Sequence, residues 1–366
     1  MKNKTRIIFI ITTLIIISLP IVFFNSKQAV SEKENRTLAE KPKIIKDNHL
    51  NGKFFTEYDD YFQDHLGLRD QLIQIDTCNP CKIKVSTTIG RAIEGKNGWY
   101  FYTDPSDGNN LMDFYKRNLF DEIQIEQFSK KICETVEWCK EQNIDCIFLI
   151  GPNKHTIYGE NYPYERPDGI TRADQITQIF NTLGVNYVFP RDYIVSKKTE
   201  FNYPLYYETD THWNQAGAYL ASTLLKEKIQ NIFPETKFPK IEYDISIYES
   251  ETSGDLLPML KLAHAKSTQI SLTPIGHSNN DFYSYVTNDG RDNVHTKGAD
   301  KRLPRALIYR DSFCSALEPF VSPLFSEAEY HWKKFETSDK DYVLKYKPDI
   351  IIFESVERHA PGIIAN

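Results

Sequence analysis

"EIQIEQFSKKICETVEWCKEQNIDCIFLIGPNK", residues 122–154, reads as a long helix, then a short apolar strand (144–150), then a polar loop. Working outward, the same alternation recurs. "RADQITQIFNTLG" (172–184) is helical and "VNYVF" (185–189) is a strand. "RALIYR" (305–310) is a strand broken by Asp311-Ser312, and "PDIIIFES" (348–355) is another. Short continuous apolar runs separated by helices indicate a mainly parallel α/β sheet covered by helices on both faces. Residues 236–300, rich in Ser, Asn, Gly and Thr, read as an irregular insertion of loops and short strands. Upstream, "GKFFTEYDDYFQDHLGLRDQLIQI" (52–75) has aromatic residues at three- and four-residue steps, an amphipathic helix stopped near Gly67. "EGKNGWYFYTD" (94–104) reads as a hairpin turning at Asn97-Gly98.

The N-terminus sets the compartment. Lys2, Lys4 and Arg6 precede eighteen uncharged residues, Ile7 to Phe24. At ~1.5 Å per residue, such a run is just long enough to cross a ~30 Å hydrocarbon core. It is either a membrane anchor or a signal peptide, and the lack of a small-x-small cleavage site favours an N-terminal transmembrane helix. The expected organisation is an anchor at 1–27, a tether at 28–52 and one domain at 53–366, outside the cytoplasm. Within the 366 residues, 40% are apolar and 26% charged, as in globular chains. The net charge of −6, with no basic tract beyond the first six residues, argues against nucleic acid as a partner.

The six cysteines fit an oxidising space. Cys78-Asn-Pro-Cys81 lacks the second pair that a zinc site wants and the βαβ context of a redox motif, so a short structural disulfide is the simpler reading. Cys133 and Cys139 lie six apart on a helix, rise ~9 Å and do not face each other.

Ligands of open α/β sheets bind beyond the carboxyl ends of the strands. Ser312 follows the strand 305–310 and precedes "FCSALEPF", a placement that exposes a hydroxyl. "DTHWN" (210–214) puts Asp210 and His212 at the mouth of the helix "QAGAYLASTLLKEKI", with Asn214 as its N-cap. "GPNK" (151–154) offers backbone or amide donors. A hydroxyl needs a base to become a nucleophile; His212 could take the proton and Asp210 hold the ring. Three plainer readings stand beside this one: Asp311-Ser312 as a cap, Asp210 and His212 as a loop pair, and Glu208, Asp210 and His212 as a metal site.

The chain resembles the AlgX/AlgJ-like family of alginate O-acetyltransferases, with an SGNH-hydrolase-like domain. The resemblance runs through "ENRTLAEKP" (34–42), "YFQDHLGLRDQLI" (61–73), "GKNGWYFY" (95–102), "GPNKHTIYGENYP" (151–163), "DTHWNQAGAY" (210–219), "SGDLLPML" (253–260), "YRDSF" (309–313) and "SVERH" (355–359). It implies Ser312 as acetyl-accepting nucleophile, His212 as general base and Asp210 as its orienter. The serine's own amide is the expected first oxyanion donor, and Asn153 is a candidate for the second. Arg310 stands where a glycine would precede the nucleophile, either contacting an anionic sugar or carrying structure. No metal or cofactor is implied, and no carbohydrate-binding module is expected after the domain. The implied partners are a polysaccharide acceptor and a multi-spanning membrane O-acyltransferase that hands acetyl groups outward. An esterase with the same three residues, or a non-catalytic assembly protein, are the alternatives.

Overall fold

The computed structural model describes residues 18–19, 21–26, 30–31, 36–46, 49–67, 90–288 and 293–365. They fall into two compact units divided near residue 89. Cys78, Cys81 and most of the apolar run 7–24 lie outside the described residues. Among those described, no helix is long and apolar enough to cross a membrane.

The smaller unit is built on the helix Phe54–His65. Of its aromatic stripe, Tyr61 is buried and meets Phe24 at 5.8 Å, whereas Phe55 is 85% exposed. The stripe is therefore only partly core.

The larger unit opens with a hairpin, β1 (Ala92–Glu94) and β2 (Tyr100–Tyr102). Asn97 and Gly98, with φ of 58° and 78°, make the tight turn that their sequence implied. Helix α1 (Glu122–Glu141) starts at a capping box in which Asp121 and Gln124 satisfy each other's amides. It buries Phe128, Ile132, Thr135 and Cys139, one face at helical spacing. Strand β3 (Asp145–Gly151), helix α2 (Arg172–Leu183) and strand β4 (Tyr187–Val188) follow, then α3 (Arg191–Lys197) and α4 (Gln215–Ile232). Asn214 caps α4 as expected, its side chain accepting from the amides of Ala216 and Gly217.

The stretch 236–300 is more regular than its composition suggests. β5 (Tyr243–Thr252) pairs along its whole length with β6 (Ala265–Pro274) in an antiparallel ribbon. β7 (Tyr283–Asn288) and β8 (Asn293–Gly298) form a second hairpin that joins the central sheet. Backbone pairing carries these strands, so one face can stay polar and wet.

The chain closes with β9 (Arg305–Tyr309), α5 (Cys314–Val321), β10 (Glu327–His331), α6 (Lys340–Tyr346) and β11 (Ile350–Val356). The central sheet runs β7-β8-β10-β9-β11-β3-β4; the last five are parallel and the β7–β8 hairpin is antiparallel at one edge. Strand side chains alternate between faces. On β3, Ile147 and Leu149 join α4 and α5 in one core, while Cys146, Phe148 and Ile150 join α1 and α2 in the other. Helices thus cover both faces. Strand order reverses around β11, with β3 and β4 to one side and β9 and β10 to the other, so a crevice opens beyond the carboxyl ends of β3, β9 and β11. Cys133, Cys139, Cys146 and Cys314 are free thiols, and Cys133 and Cys139 do not bridge.

Candidate active site

Three chain segments converge on that crevice. The first is the turn after β9. Asp311 directs one carboxylate oxygen to the Phe313 amide (2.9 Å) and the other to the Val356 amide at the end of β11 (2.7 Å). Its own amide donates to Glu354 (2.9 Å). Asp311 therefore pins the turn to the end of β11 and does not cap α5, whose N-cap position is Phe313 with no side-chain cap bond, and the Ser312 hydroxyl projects from the turn. No residue from Arg310 to Ser312 has a positive φ, so the turn needs no glycine at Arg310.

The second segment is the loop before α4. Trp213, wholly buried, donates its indole N–H to the Phe313 carbonyl (2.9 Å) and so fastens this loop to the serine turn. His212 Nε2 then lies 2.7 Å from Ser312 Oγ, and His212 Nδ1 lies 2.6 Å from Asp210 Oδ1. The structure brings Asp210, His212 and Ser312 into one hydrogen-bonded chain.

The electrostatics fix the direction of that chain. Burial alone would raise Asp210, but the hydrogen bond and charge of His212 hold it at about 2. Burial likewise opposes an imidazolium, yet the Asp210 hydrogen bond and the charges of Asp210 and Asp255 raise His212 above its ordinary value. An ionised Asp210 can only accept, so Nδ1 carries the proton and the neutral ring presents Nε2 as acceptor for the serine hydroxyl.

The third segment is the loop after β3. Asn153 caps a one-turn helix, Lys154–Ile157, and its amide donates to Glu357 (2.8 Å). Its side-chain amide is buried without a partner, beside a cavity of about 10 Å³ that Lys154, Thr211 and Arg358 also line. Lys154 is buried and donates to the carbonyls of Tyr207 (2.9 Å), Glu208 (2.9 Å) and Asp210 (2.8 Å). Burial pulls its ammonium down to about 7. The three carbonyls oppose that shift, since a neutral amine has only two N–H bonds to give.

Arg310 is buried, 3% exposed, with its guanidinium 4.1 Å over the Trp332 ring and bonded to Ser315 Oγ (2.8 Å). Of its two expected roles, these contacts are those of a structural residue. Glu208 also leaves the set in which sequence placed it. Its carboxylate is held by Ser267 Oγ (2.8 Å) and by the amide (3.0 Å) and hydroxyl (2.8 Å) of Thr268 on β6.

The family model described as "SGNH hydrolase-like domain, acetyltransferase AlgX" matches residues 92–284. The chain belongs to this family. The match includes Asn153, Asp210 and His212 and ends before Ser312, which the fold itself carries to the site. No curated protein matches the sequence. Among solved structures, Bacillus cereus PatB1 aligns with a TM-score of 0.54 at 16% identity, over 73% of this chain and 95% of that one. The O-acetyltransferase domain of Pseudomonas putida AlgJ gives 0.48 at 16% identity, over 74% and 92%. Pseudomonas aeruginosa AlgX gives 0.47 at 15%, over 73% and 63%. The family match gives the SGNH hydrolase-like fold, and the likeness to PatB1 is one of fold alone.

Lys154, Asp255 and Arg358 also stand near this site, although in the sequence each carries no signal outside a longer motif. Ligand atoms of Asp210, His212 and Asp255 lie within 4.8 Å of one another. In the structure, however, both imidazole nitrogens are engaged, one by Asp210 and the other by Ser312. A metal here would have to break that chain. Turnover of a small acetyl ester is therefore expected to survive EDTA treatment. A strong loss that zinc or another divalent ion restores would replace the hydrogen-bonded reading with a metal site.

Proposed function

We propose that this protein is a membrane-anchored, extracytoplasmic O-acetyltransferase that acetylates hydroxyls of an exported or cell-surface polysaccharide through an acetyl-Ser312 intermediate. The observation that carries the reading is the Asp210–His212–Ser312 chain, with contacts of 2.6 and 2.7 Å, in a fold of the acetyltransferase family. The apolar run Ile7 to Phe24 supports the anchor.

In the first half-reaction His212 Nε2 takes the Ser312 proton while Oγ attacks the donor's acetyl carbonyl. The imidazolium that forms is stabilised by Asp210. The tetrahedral oxyanion is met by the Ser312 amide, which has no hydrogen-bond partner among the described residues, and by the buried Asn153 side chain. Collapse breaks the bond to the leaving group, which receives the proton from His212, and leaves acetyl on Oγ. In the second half-reaction His212 deprotonates an acceptor hydroxyl. That oxygen attacks the acetyl carbonyl, and the proton returns to Ser312 as its ester bond breaks. The donor is supplied at the membrane by a multi-spanning O-acyltransferase, because the acetyl group must come from the cytoplasm.

The test uses the full chain, a small activated acetyl ester and an acceptor oligosaccharide. Acetylated sugar should form, with ping-pong kinetics in donor and acceptor. Hydrolysis at the same rate with or without acceptor, and no acetylated sugar, would make the protein an esterase instead.

A further inference from the structure

Residues 254–256 are zipped against residues 209–211. The Leu256 amide donates to the Thr209 carbonyl (3.3 Å), and the hydroxyls of Thr209 and Thr252 meet at 2.9 Å. The approach is so close that a Cβ on Gly254 would stand 2.3 Å from the Thr209 carbonyl oxygen. Glycine there is a packing requirement, and it delivers the next residue, Asp255, to the histidine loop.

Asp210 binds His212 directly, through its amide (3.0 Å) and Nδ1 (2.6 Å), and Asp255 reaches the same loop through Thr211. Its Oδ1 accepts from the Thr211 amide (2.7 Å) and its Oδ2 from the Thr211 hydroxyl. That hydroxyl lies 3.2 Å from His212 Nδ1, and Asp255 Oδ2 itself lies 3.8 Å from the same nitrogen. The Asp255 backbone amide donates to Asp210 Oδ2 (3.1 Å), the oxygen that His212 does not use. Both carboxylates thus face one edge of the imidazole, joined by Thr211 and by a backbone amide.

We propose that Asp255 is a second positioning carboxylate for His212, holding the imidazole edge through Thr211 and sharing with Asp210 the positive charge that forms on the ring. The proposal rests on His212 acting as the base of Ser312, as set out under Proposed function. The two carboxyls differ in environment, and only Asp210 bonds the ring nitrogen itself. The His212 bond keeps Asp210 low, whereas burial and the neighbouring Asp210 charge raise Asp255. The other charged groups facing this edge are Arg358, whose charge lowers His212, and Lys154, which binds the Asp210 carbonyl and feels both carboxylates. Phe313 carries His212 and Arg358 on the same ring, at 5.0 and 5.9 Å.

The sign of the effect follows. A negative charge beside His212 raises it, and the base must be neutral to act. Activity therefore climbs as pH rises through that raised value. Losing the Asp255 charge should move the acid limb to lower pH by about one unit, the usual effect of a charge within ~4–6 Å. A purely structural anchor would change the rate or the stability but leave the limb in place.

The experiment follows acetylation of Ser312 by a small activated ester from pH 5 to 9, in the full chain, with thermal unfolding alongside. Asp255→Asn should lower the rate and shift the acid limb downward. In a double-mutant cycle Asp210→Ala should cost at least tenfold more in the Asp255→Asn background than alone, because each carboxylate partly covers for the other. Should Asp255→Asn fail to fold, Asp255→Ser keeps an acceptor for the Thr211 amide and gives the same two readouts. An unshifted acid limb, or losses that simply multiply, would overturn the proposal and leave the function standing. Undiminished Ser312 acetylation in His212→Ala would instead remove the functional reading on which it rests.

Discussion

Ser312→Ala and His212→Ala are each expected to lower acetyl-ester turnover by about 10⁴-fold or more, and combining them should cost little beyond either alone. The reason is geometric. The hydroxyl 2.7 Å from His212 Nε2 is a nucleophile only while that nitrogen takes its proton, and the nitrogen is a useful base only while the hydroxyl is there. Two parts of one step cannot be lost twice. Residual activity would come from the oxyanion donors and from binding. Asp210→Asn should be milder, since the base remains although its tautomer is no longer enforced. Intact protein treated with the ester should gain about 42 Da, the mass expected of a covalent acetyl group. The adduct should lie on the peptide holding Ser312 and vanish in Ser312→Ala. Losses that multiply in the double mutant, or an adduct on another peptide, would separate His212 from this serine.

What the sequence disclosed follows from how each feature is encoded. β3, β9 and β11 are continuous apolar runs because both their faces are buried, and such runs are visible without a structure. β10 is hidden for the opposite reason. Its buried Ala328 and Tyr330 alternate with Glu327, Glu329 and His331, so "EAEYH" reads as polar although it sits inside the sheet. The ribbon β5–β6 is likewise masked by Ser, Thr and Glu. Asp210, His212 and Ser312 could be picked out because they stand at strand and helix ends with paired chemistry. Arg310 is ambiguous in sequence because its partner, the Trp332 ring beneath its guanidinium, lies on another segment of the chain. Asp255 gave no signal of its own, since its place depends on Gly254 packing against a carbonyl 45 residues earlier in the chain. Lys154 gave none either, since a lone lysine after a strand is ordinarily solvated.

Lys154→Met should destabilise the protein by about 3 kcal/mol or more, and should disable the site even where the fold survives. The side chain is fully enclosed, with its ammonium 5.3 Å from the centroids of Trp99 and Phe101 in the β1–β2 hairpin and its three N–H bonds on the carbonyls of Tyr207, Glu208 and Asp210. Methionine fills most of the volume but leaves those carbonyls without this donor, and each buried acceptor left unpaired costs about 1–3 kcal/mol. The Glu208 carbonyl keeps a second donor, the Tyr100 amide at 2.9 Å, so the heavier losses fall on Tyr207 and Asp210. Asp210 also holds His212 Nδ1 at 2.6 Å, so a shift of its backbone is expected to disturb that contact. Urea unfolding monitored by tryptophan fluorescence would give the stability change, and the rate of Ser312 acetylation below the melting transition would give the catalytic one. Unchanged stability together with an unchanged rate would mean that the loop holds its shape without the lysine. The hairpin, the loop after β3 and the histidine loop would then be three neighbours and not one mechanically coupled site.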